Sequence, residues 1–144
     1  MQDKPRGPDL IARDNFRVWT GLPIRYADLD TLGHVNNAAM AIYLEQARCD
    51  LIYPLLKTEG RSHLDIVLAR ITIDYLQELR YPGIVEVGGR VARLGTKSIT
   101  LMHSVFAGER CVAMAEAVIV FFDLARRTST EPPAEVRAAL AKLM

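Results

Sequence analysis

One long helical segment constrains this chain more than any other feature, because its apolar residues surround most of the helix circumference. Residues 38–53 are rich in strong helix formers, and Asn36 or Asn37 offers an N-cap at their start. The polar remainder of the segment is small: Glu45, Gln46, Arg48 and Asp50. A helix of this kind is buried on several sides instead of lying on a surface. Pro54 is expected to end or to kink it.

The rest of the chain has the alternating pattern of strands. A first run begins at Asn15 and continues toward Tyr26. Four more runs occupy residues 66–76, 84–94, 98–106 and 111–122. Turn residues separate these runs: Pro82-Gly83, Gly95-Thr96-Lys97 and Gly108-Glu109. After Pro132 and Pro133 we expect a short amphipathic helix, with an apolar side formed by Val136, Leu140 and Leu143.

This order of elements predicts an α+β domain. A single antiparallel sheet must bury one face, and the helix at 38–53 is the only element apolar enough to cover it. We therefore expect one domain over residues 15–144, in which a five-stranded antiparallel sheet wraps around a long central helix. Residues 1–14 are polar and contain Pro5, Gly7 and Pro8, so we expect a loose N-terminal arm.

Composition and charge exclude several classes of protein. The formal net charge is +1 over 144 residues, without the basic run of a nucleic-acid binder. Cys49 and Cys111 stand among apolar residues, with no CxxC and no histidine at ligand spacing, so we expect buried, reduced thiols and no metal centre. We find neither a secretory signal nor a run of 18 apolar residues, and we expect a soluble cytoplasmic protein.

A polar loop immediately before the helix is the segment most informative about chemistry. Within ten residues the chain places six polar or flexible residues: Asp28, Asp30, Gly33, His34, Asn36 and Asn37. Turn and cap formation alone accounts for such a cluster. The cluster also suits thioester hydrolysis, which needs a carboxylate and a backbone N–H aimed at the thioester oxygen. The helix N-terminus supplies free N–H groups, and no cofactor is required.

The stretch RYADLDTLGHVNNAAMAIYLEQAR at 25–48 carries a specific resemblance. It follows the pattern D-x-D-x-x-G-H-V-N-N, then an aromatic residue, then E-x-A-R. This resembles the signature of hotdog-fold acyl-CoA thioesterases of the 4-hydroxybenzoyl-CoA thioesterase-like superfamily. Segments 74–83, 93–101 and 117–133 are similar to later strands and turns of that family. The resemblance implies a hotdog fold, hydrolysis of an acyl-CoA, and a homodimer or homotetramer with sites at the dimer interface.

The resemblance also assigns roles by position. Asp30 corresponds to the catalytic carboxylate, and both nucleophile and general base stay open for it. Asn37 corresponds to the residue whose backbone N–H polarises the thioester carbonyl. His34 is expected to hydrogen-bond Asp30 or the substrate, or to act as a plain structural donor. Further substrate contacts are expected from four neighbours: Gly33, Val35, Asn36 and Met40.

Two helix positions leave alternatives open. Met40 stands where the family usually has tyrosine, which indicates either an altered acyl preference or simple core filling. Glu45 is a second candidate carboxylate. Its i,i+3 spacing from Arg48 favours an intrahelical ion pair over a catalytic role.

Coenzyme A is a polyanion, so a protein with almost no net charge must bind it through a local patch of basic residues. The predicted phosphate contacts are Arg90, Arg93 and Lys97, which flank the third hairpin. Exposed basic residues also protect strand edges, and that alternative applies to all three.

Two other functions fit the same fold. A non-catalytic acyl-CoA-binding protein is one, although the intact Asp30 argues against it. An acyl carrier protein thioesterase is the other, since its loop would look the same. A hotdog hydratase is disfavoured, because the Asn-Pro dipeptide of its motif does not occur in the sequence.

Overall fold

A strand, a long helix and four further strands build the domain. The computed structural model describes residues 9–58 and 60–144. Its strands and helices, in chain order, are β1 (Val18–Pro23), α1 (Asn37–Leu56), β2 (Leu64–Tyr75), β3 (Ile84–Leu94), β4 (Ser98–Ala107), β5 (Arg110–Asp123), β6 (Thr128–Ser129) and α2 (Ala134–Ala141). Two short 3-10 turns flank β1, at Arg13–Asn15 and Tyr26–Asp28.

The strands form one antiparallel sheet in the order β1-β3-β4-β5-β2, and β6 pairs with the end of β5. The five long strands are those predicted from the alternating pattern, and β6 adds only two residues. Helix α1 packs against β3, β1 and β4. The predicted α+β architecture, a sheet around one long helix, is therefore confirmed.

The core has two main clusters, one at each half of α1. Around the N-terminal half, Met40 and Leu44 pack with Val85 and Val105. Around the C-terminal half, the cluster joins α1 to the far ends of β3 and β4 and to α2: Leu51, Ile52, Leu56, Val91, Ile99, Leu101, Val136 and Leu140. Burying each large apolar side chain contributes about 1.5–3 kcal/mol, so the helix is held along its whole length.

Helix α1 and strand β1 each end at a residue other than the one predicted. Helix α1 continues through Pro54 and ends at Leu56, because the proline falls in the last turn, where only the bond to the carbonyl of Asp50 is lost. Strand β1 ends at Pro23 instead of continuing to Tyr26. There the chain leaves the sheet and enters the 3-10 turn at Tyr26–Asp28.

The first eight residues of the predicted N-terminal arm lie outside the described residues. From Asp9 onward the chain packs on the face of the sheet opposite α1. Leu10 packs against the small cluster that contains Phe16 and Phe106. Arg13 pairs with Glu86 at 3.0 Å. This part of the predicted arm is attached to the sheet.

The two cysteines are free thiols. Cys111 is buried as predicted, whereas Cys49 is partly exposed on α1. Burial raises the pKa of both thiols. In the described parts of the chain, no helix combines the length and the apolar character needed to cross a membrane.

Candidate active site

A buried carboxylate, Asp28, fixes the loop between β1 and α1. Its side chain accepts hydrogen bonds from Arg25 Nε at 3.1 Å, Arg25 Nη2 at 2.8 Å and the Tyr43 hydroxyl at 2.5 Å. Burial alone would raise the pKa of Asp28, but the hydrogen bonds from Arg25 and Tyr43 lower it below its usual range. Burial and the same contact raise the pKa of Tyr43. The charged Asp28 therefore ties the loop to the middle of the helix.

Asp30 is exposed, and the loop holds its carboxylate through one oxygen only. Asp30 Oδ1 accepts the backbone N–H groups of Leu32 at 2.9 Å and His34 at 3.2 Å. The Asp30 backbone N–H donates to the His34 carbonyl at 2.8 Å. Gly33 closes the turn at φ +79°, a left-handed conformation that favours glycine. Asp30 Oδ2 accepts no hydrogen bond from the described residues and is free for chemistry.

The start of α1 provides one free N–H group beside this loop. Asn36 is the N-cap, and its Oδ1 accepts the N–H groups of Ala38 at 2.6 Å and Ala39 at 3.3 Å. The Asn37 N–H precedes both and has no hydrogen-bond partner in the described ranges. It also lies at the positive end of the helix dipole. Asn36 is thus occupied as a cap, whereas Asn37 presents an unused donor.

The His34 ring contacts a charged pair from the segment that follows β2. His34 Nε2 lies 3.2 Å from Glu78 Oε2 and 3.1 Å from Arg80 Nη2. Arg80 also donates to Glu78 at 3.1 Å. Among the described residues, the ring makes no hydrogen bond to Asp30, and His34 contacts that carboxylate only through its backbone N–H. Of the alternatives for His34, the ring contact with Asp30 is therefore not present.

The loop, the helix start and the segment after β2 enclose a cavity of about 320 Å³. Residues 75–79 form one wall. The other wall consists of five residues singled out in the sequence: Asp30, His34, Val35, Asn37 and Met40. Met40 is also buried in the core, so it lines the cavity and fills core space at once. The residue whose carboxylate has a free oxygen and the residue with the free helix N–H therefore line one cavity.

This site and fold match one protein family. A family model described as the thioesterase-like superfamily matches residues 24–140, most of the chain. The chain belongs to the thioesterase-like superfamily. The cavity described above lies at the loop and helix start that carry the motif of residues 28–37.

Solved structures agree with this membership. A thioesterase from Thermus thermophilus, complexed with coenzyme A and Zn, is 31% identical; the match covers 90% of this chain and 96% of that chain, with a TM-score of 0.77. The PA5185 protein of Pseudomonas aeruginosa PAO1 is 25% identical over 92% of this chain and 94% of that chain, with a TM-score of 0.83. A DHNA-CoA thioesterase from Staphylococcus aureus, 17% identical, shares the fold, with coverage of 86% and 88% and a TM-score of 0.77. The predicted hotdog fold of the superfamily is confirmed.

The three predicted phosphate contacts do not join this cavity within one protomer. The Asp30 loop lies near the start of β3, because His34 bridges to Arg80, just before Ile84. Arg93 lies nine residues further along β3 than Ile84, which places it about 30 Å away on an extended strand. Lys97 lies in the turn beyond it. Arg90 is partly buried and donates to the Asn15 carbonyl at 3.2 Å.

Glu45 lies outside the cavity and is mostly exposed. Its Oε2 lies 3.7 Å from Arg48 Nη2, as the i,i+3 spacing predicts. Over residues 9–58 and 60–144, no group of three His, Cys, Asp or Glu side chains is placed to hold a metal ion. The groups available for chemistry at this site are therefore a carboxylate, a helix N–H and the His34–Glu78–Arg80 cluster.

Proposed function

We propose that the protein hydrolyses acyl-CoA thioesters to a carboxylic acid and coenzyme A, with Asp30 as the catalytic carboxylate. One observation carries the proposal: Asp30 and Asn37 line the same cavity. Within the described residues, both Asp30 Oδ2 and the Asn37 N–H are free of hydrogen bonds. Hydrolysis of a thioester needs these two groups together. Membership of the thioesterase-like superfamily supports the same reaction class.

The reaction follows from the two free groups. Asp30 Oδ2 either attacks the thioester carbonyl carbon or removes a proton from the water that attacks it. Negative charge then develops on the carbonyl oxygen, where the Asn37 N–H and the helix dipole stabilise it. The C–S bond breaks, and the thiolate leaves as coenzyme A after taking a proton, from protonated Asp30 in the general-base route or from solvent in the nucleophilic route. If Asp30 attacks directly, water then hydrolyses the acyl-aspartyl anhydride and restores the carboxylate.

The walls of the cavity suit an acyl thioester. Tyr75 and Leu76 supply exposed apolar surface for the acyl group, and the largely buried Val35, Met40 and Leu79 complete the apolar lining. The Thermus relative was crystallised with coenzyme A, which supports coenzyme A as the thiol half of the substrate. We place the reaction in the cytoplasm, because the two free, partly or fully buried thiols are typical of a reducing compartment.

We also propose that two copies pair along β2, as a homodimer or within a homotetramer. Strand β2 is an edge of the sheet and pairs only with β5 among the described strands. Val67, Leu68 and Tyr75 on this strand are large, apolar and exposed. An exposed apolar edge favours pairing with a second chain. Because Tyr75 also lines the cavity, this pairing would place the second copy beside the site.

Sedimentation velocity tests this pairing. Leu68→Lys puts a charge on the proposed interface and should halve the number of copies in the assembly, from dimer to monomer or from tetramer to dimer. Ile11→Lys, at an exposed apolar residue on the sheet face opposite α1, is the matched control and should leave the wild-type assembly unchanged. A wild-type protein that sediments as a monomer, or a Leu68→Lys protein with the same number of copies as wild type, would contradict the proposal.

Thiol release from a panel of substrates tests the proposed reaction. The panel contains aromatic, short-chain and long-chain acyl-CoAs and an acyl group carried on acyl carrier protein. We expect equal amounts of thiol and acid from at least one acyl-CoA. Binding of coenzyme A without release from any acyl-CoA would instead identify a non-catalytic binding protein. Release only from the carrier protein would identify the carrier-protein thioesterase.

A further inference from the structure

A second, larger cleft adjoins the candidate active site. Its volume is about 620 Å³, and it shares residues 77–79 with the 320 Å³ cavity. Residues 82–84 form one side of it, and Gly108 and Arg110 form the other. Both volumes lie within the range of about 300–1,000 Å³ that ligand pockets take. A substrate too long for the 320 Å³ cavity can therefore extend past residues 77–79 into the larger cleft.

Two arginines line this second cleft. Arg110 is the first residue of β5 and is exposed; its Nη1 donates to Gln77 Oε1 at 3.0 Å. No ion pair joins Arg110 to a carboxylate in the described chain, so its positive charge is uncompensated. Arg80 is 67% exposed and pairs with Glu78, the only acidic residue of the lining. Two positive charges against one negative charge leave the cleft positive.

This charge is suited to phosphate. Arginine binds phosphate through two parallel N–H donors, and such charge-assisted contacts are roughly twice as strong as neutral hydrogen bonds. The bond from Arg110 to the neutral Gln77 amide leaves its other N–H groups available. The whole protein carries a formal charge of only +1, so this local positive cleft matters for a polyanionic ligand.

We propose that the Arg80–Arg110 cleft binds the nucleotide phosphates of the substrate while its thioester occupies the Asp30 cavity. The inference rests on the proposed function, and it names the part of the protein that recognises coenzyme A. It places the phosphates at the same end of the sheet as Asp30. The sequence-based expectation places them instead at Arg93 and Lys97, which lie about 30 Å away along β3 of the same protomer.

Calorimetric titration with free coenzyme A and with pantetheine tests this placement without requiring turnover. Arg110→Gln removes one charge and should weaken coenzyme A binding about tenfold, the effect of losing one charge-assisted contact. Pantetheine, which lacks the nucleotide, should bind wild type and variant equally. The loss should shrink as added salt screens the arginine.

Three further variants make the result specific. Arg80→Gln should also weaken coenzyme A binding. Arg17→Gln makes the same charge change at an exposed residue beside Gly89, away from the cleft, and should bind as wild type does. Arg93→Gln tests the alternative placement of the phosphates at Arg93 and Lys97, and on the present proposal it should bind coenzyme A as wild type does. Unchanged coenzyme A binding by Arg110→Gln, equal losses for coenzyme A and pantetheine, or a loss confined to Arg93→Gln would overturn the proposal.

A failure of the hydrolysis proposal can be distinguished from a failure of the cleft assignment. If wild type releases no thiol from any acyl-CoA but Arg110→Gln still weakens coenzyme A binding, the cleft assignment stands and the hydrolysis proposal falls. If thiol is released and the KM for acyl-CoA is the same in Arg110→Gln and wild type, the hydrolysis proposal stands and the cleft assignment falls. Loss of a uniform binding contact should raise KM and leave kcat nearly unchanged.

Discussion

At the residue scale, Asp28 and Asp30 show how burial separates two carboxylates that stand two positions apart. Asp28 is 3% exposed, and its oxygens are occupied by Arg25 and Tyr43. Asp30 is exposed, and only its Oδ1 is held, by backbone N–H groups. A buried carboxylate must be satisfied to be tolerated, so Asp28 supports the loop. The free oxygen of Asp30 is the one that can meet a substrate.

Tyr43→Phe tests the supporting role of Asp28. The change removes the 2.5 Å hydrogen bond and leaves a buried carboxylate oxygen with one donor fewer, which should cost about 1–3 kcal/mol of unfolding free energy. Urea denaturation measures this difference. Tyr53→Phe is the matched control, because its hydroxyl reaches Asp65 only at 3.4 Å and should cost far less. Equal costs for the two variants would contradict the role of Asp28.

Met40→Tyr tests whether Met40 selects the acyl group. The residue lines the cavity and is also buried in the core, so a larger polar-tipped ring should reshape the acyl end of the cavity. We expect the ranking of kcat/KM across the acyl-CoA panel to change more than the turnover of the best substrate. Parallel profiles in the two proteins would show that Met40 only fills core space.

At the scale of the elements, α1 and β4 bury a histidine between them. His103 is 2% exposed, and its Nε2 has no hydrogen-bond partner among the described residues. Burial, and to a lesser extent the charge of Arg48, lower the pKa of His103 to about 4. On the paired strand, a Cβ at Gly89 would lie 2.7 Å from His103 Nε2, so glycine is needed there. The surroundings of His103 therefore disfavour the charged imidazole.

This histidine should make the fold sensitive to acid. The pKa of His103 is about 4 in the folded protein and 6.5 in the unfolded chain, so between these values the unfolded state binds more protons. Stability is therefore fully present above pH 6.5 and falls as the pH drops, by roughly 2–3 kcal/mol at pH 4.5. His103→Leu removes this titration. Denaturation at pH 7.5 and pH 4.5 should show a smaller loss for the variant than for wild type, and equal losses would contradict the burial of a neutral His103.

Local features of the elements could be predicted from the sequence, and contacts between distant residues could not. Strand alternation, the Asn36 cap and the Gly33 turn each depend on residues within a few positions. The Tyr43 bond to Asp28 spans 15 positions, and the Arg80 bond to His34 spans 46, so no local pattern reports them. In the sequence, only its position as the first aspartate of the D-x-D motif distinguishes Asp28 as a residue with a structural role.

Strand register explains why the sequence does not tell where Arg93 and Lys97 lie relative to Asp30. The turn sequence around Gly95 correctly predicts a reversal between β3 and β4. It does not tell which end of the sheet that reversal occupies relative to the Asp30 loop. That depends on the pairing of the loop with Leu79 and Arg80, far along the chain. No local pattern singles out Arg110 either, because only the fold brings the start of β5 beside Gln77.

At the scale of the whole molecule, the two ends of the sheet differ. At one end, α2 covers the core with Val136 and Leu140, and the Leu143 carbonyl accepts the Val91 N–H at 2.8 Å. At the other end, the N-terminus of α1, the Asp30 loop and the segment after β2 leave two adjoining cavities. The α2 end also carries an open, mostly polar depression beside Arg93 and Arg137, so the ends differ in what lines their cavities.

The turnover of Asp30→Asn tests the central claim most directly. Asparagine keeps an oxygen that can accept the Leu32 and His34 N–H groups, so the loop and the fold should be retained. We expect kcat on the best acyl-CoA to fall roughly 10²-fold or more, as for loss of a catalytic base or nucleophile. Asp14→Asn, at another exposed aspartate, should turn over as wild type does. Near wild-type turnover of a folded Asp30→Asn protein would contradict the assignment and make Glu45 the next carboxylate to test.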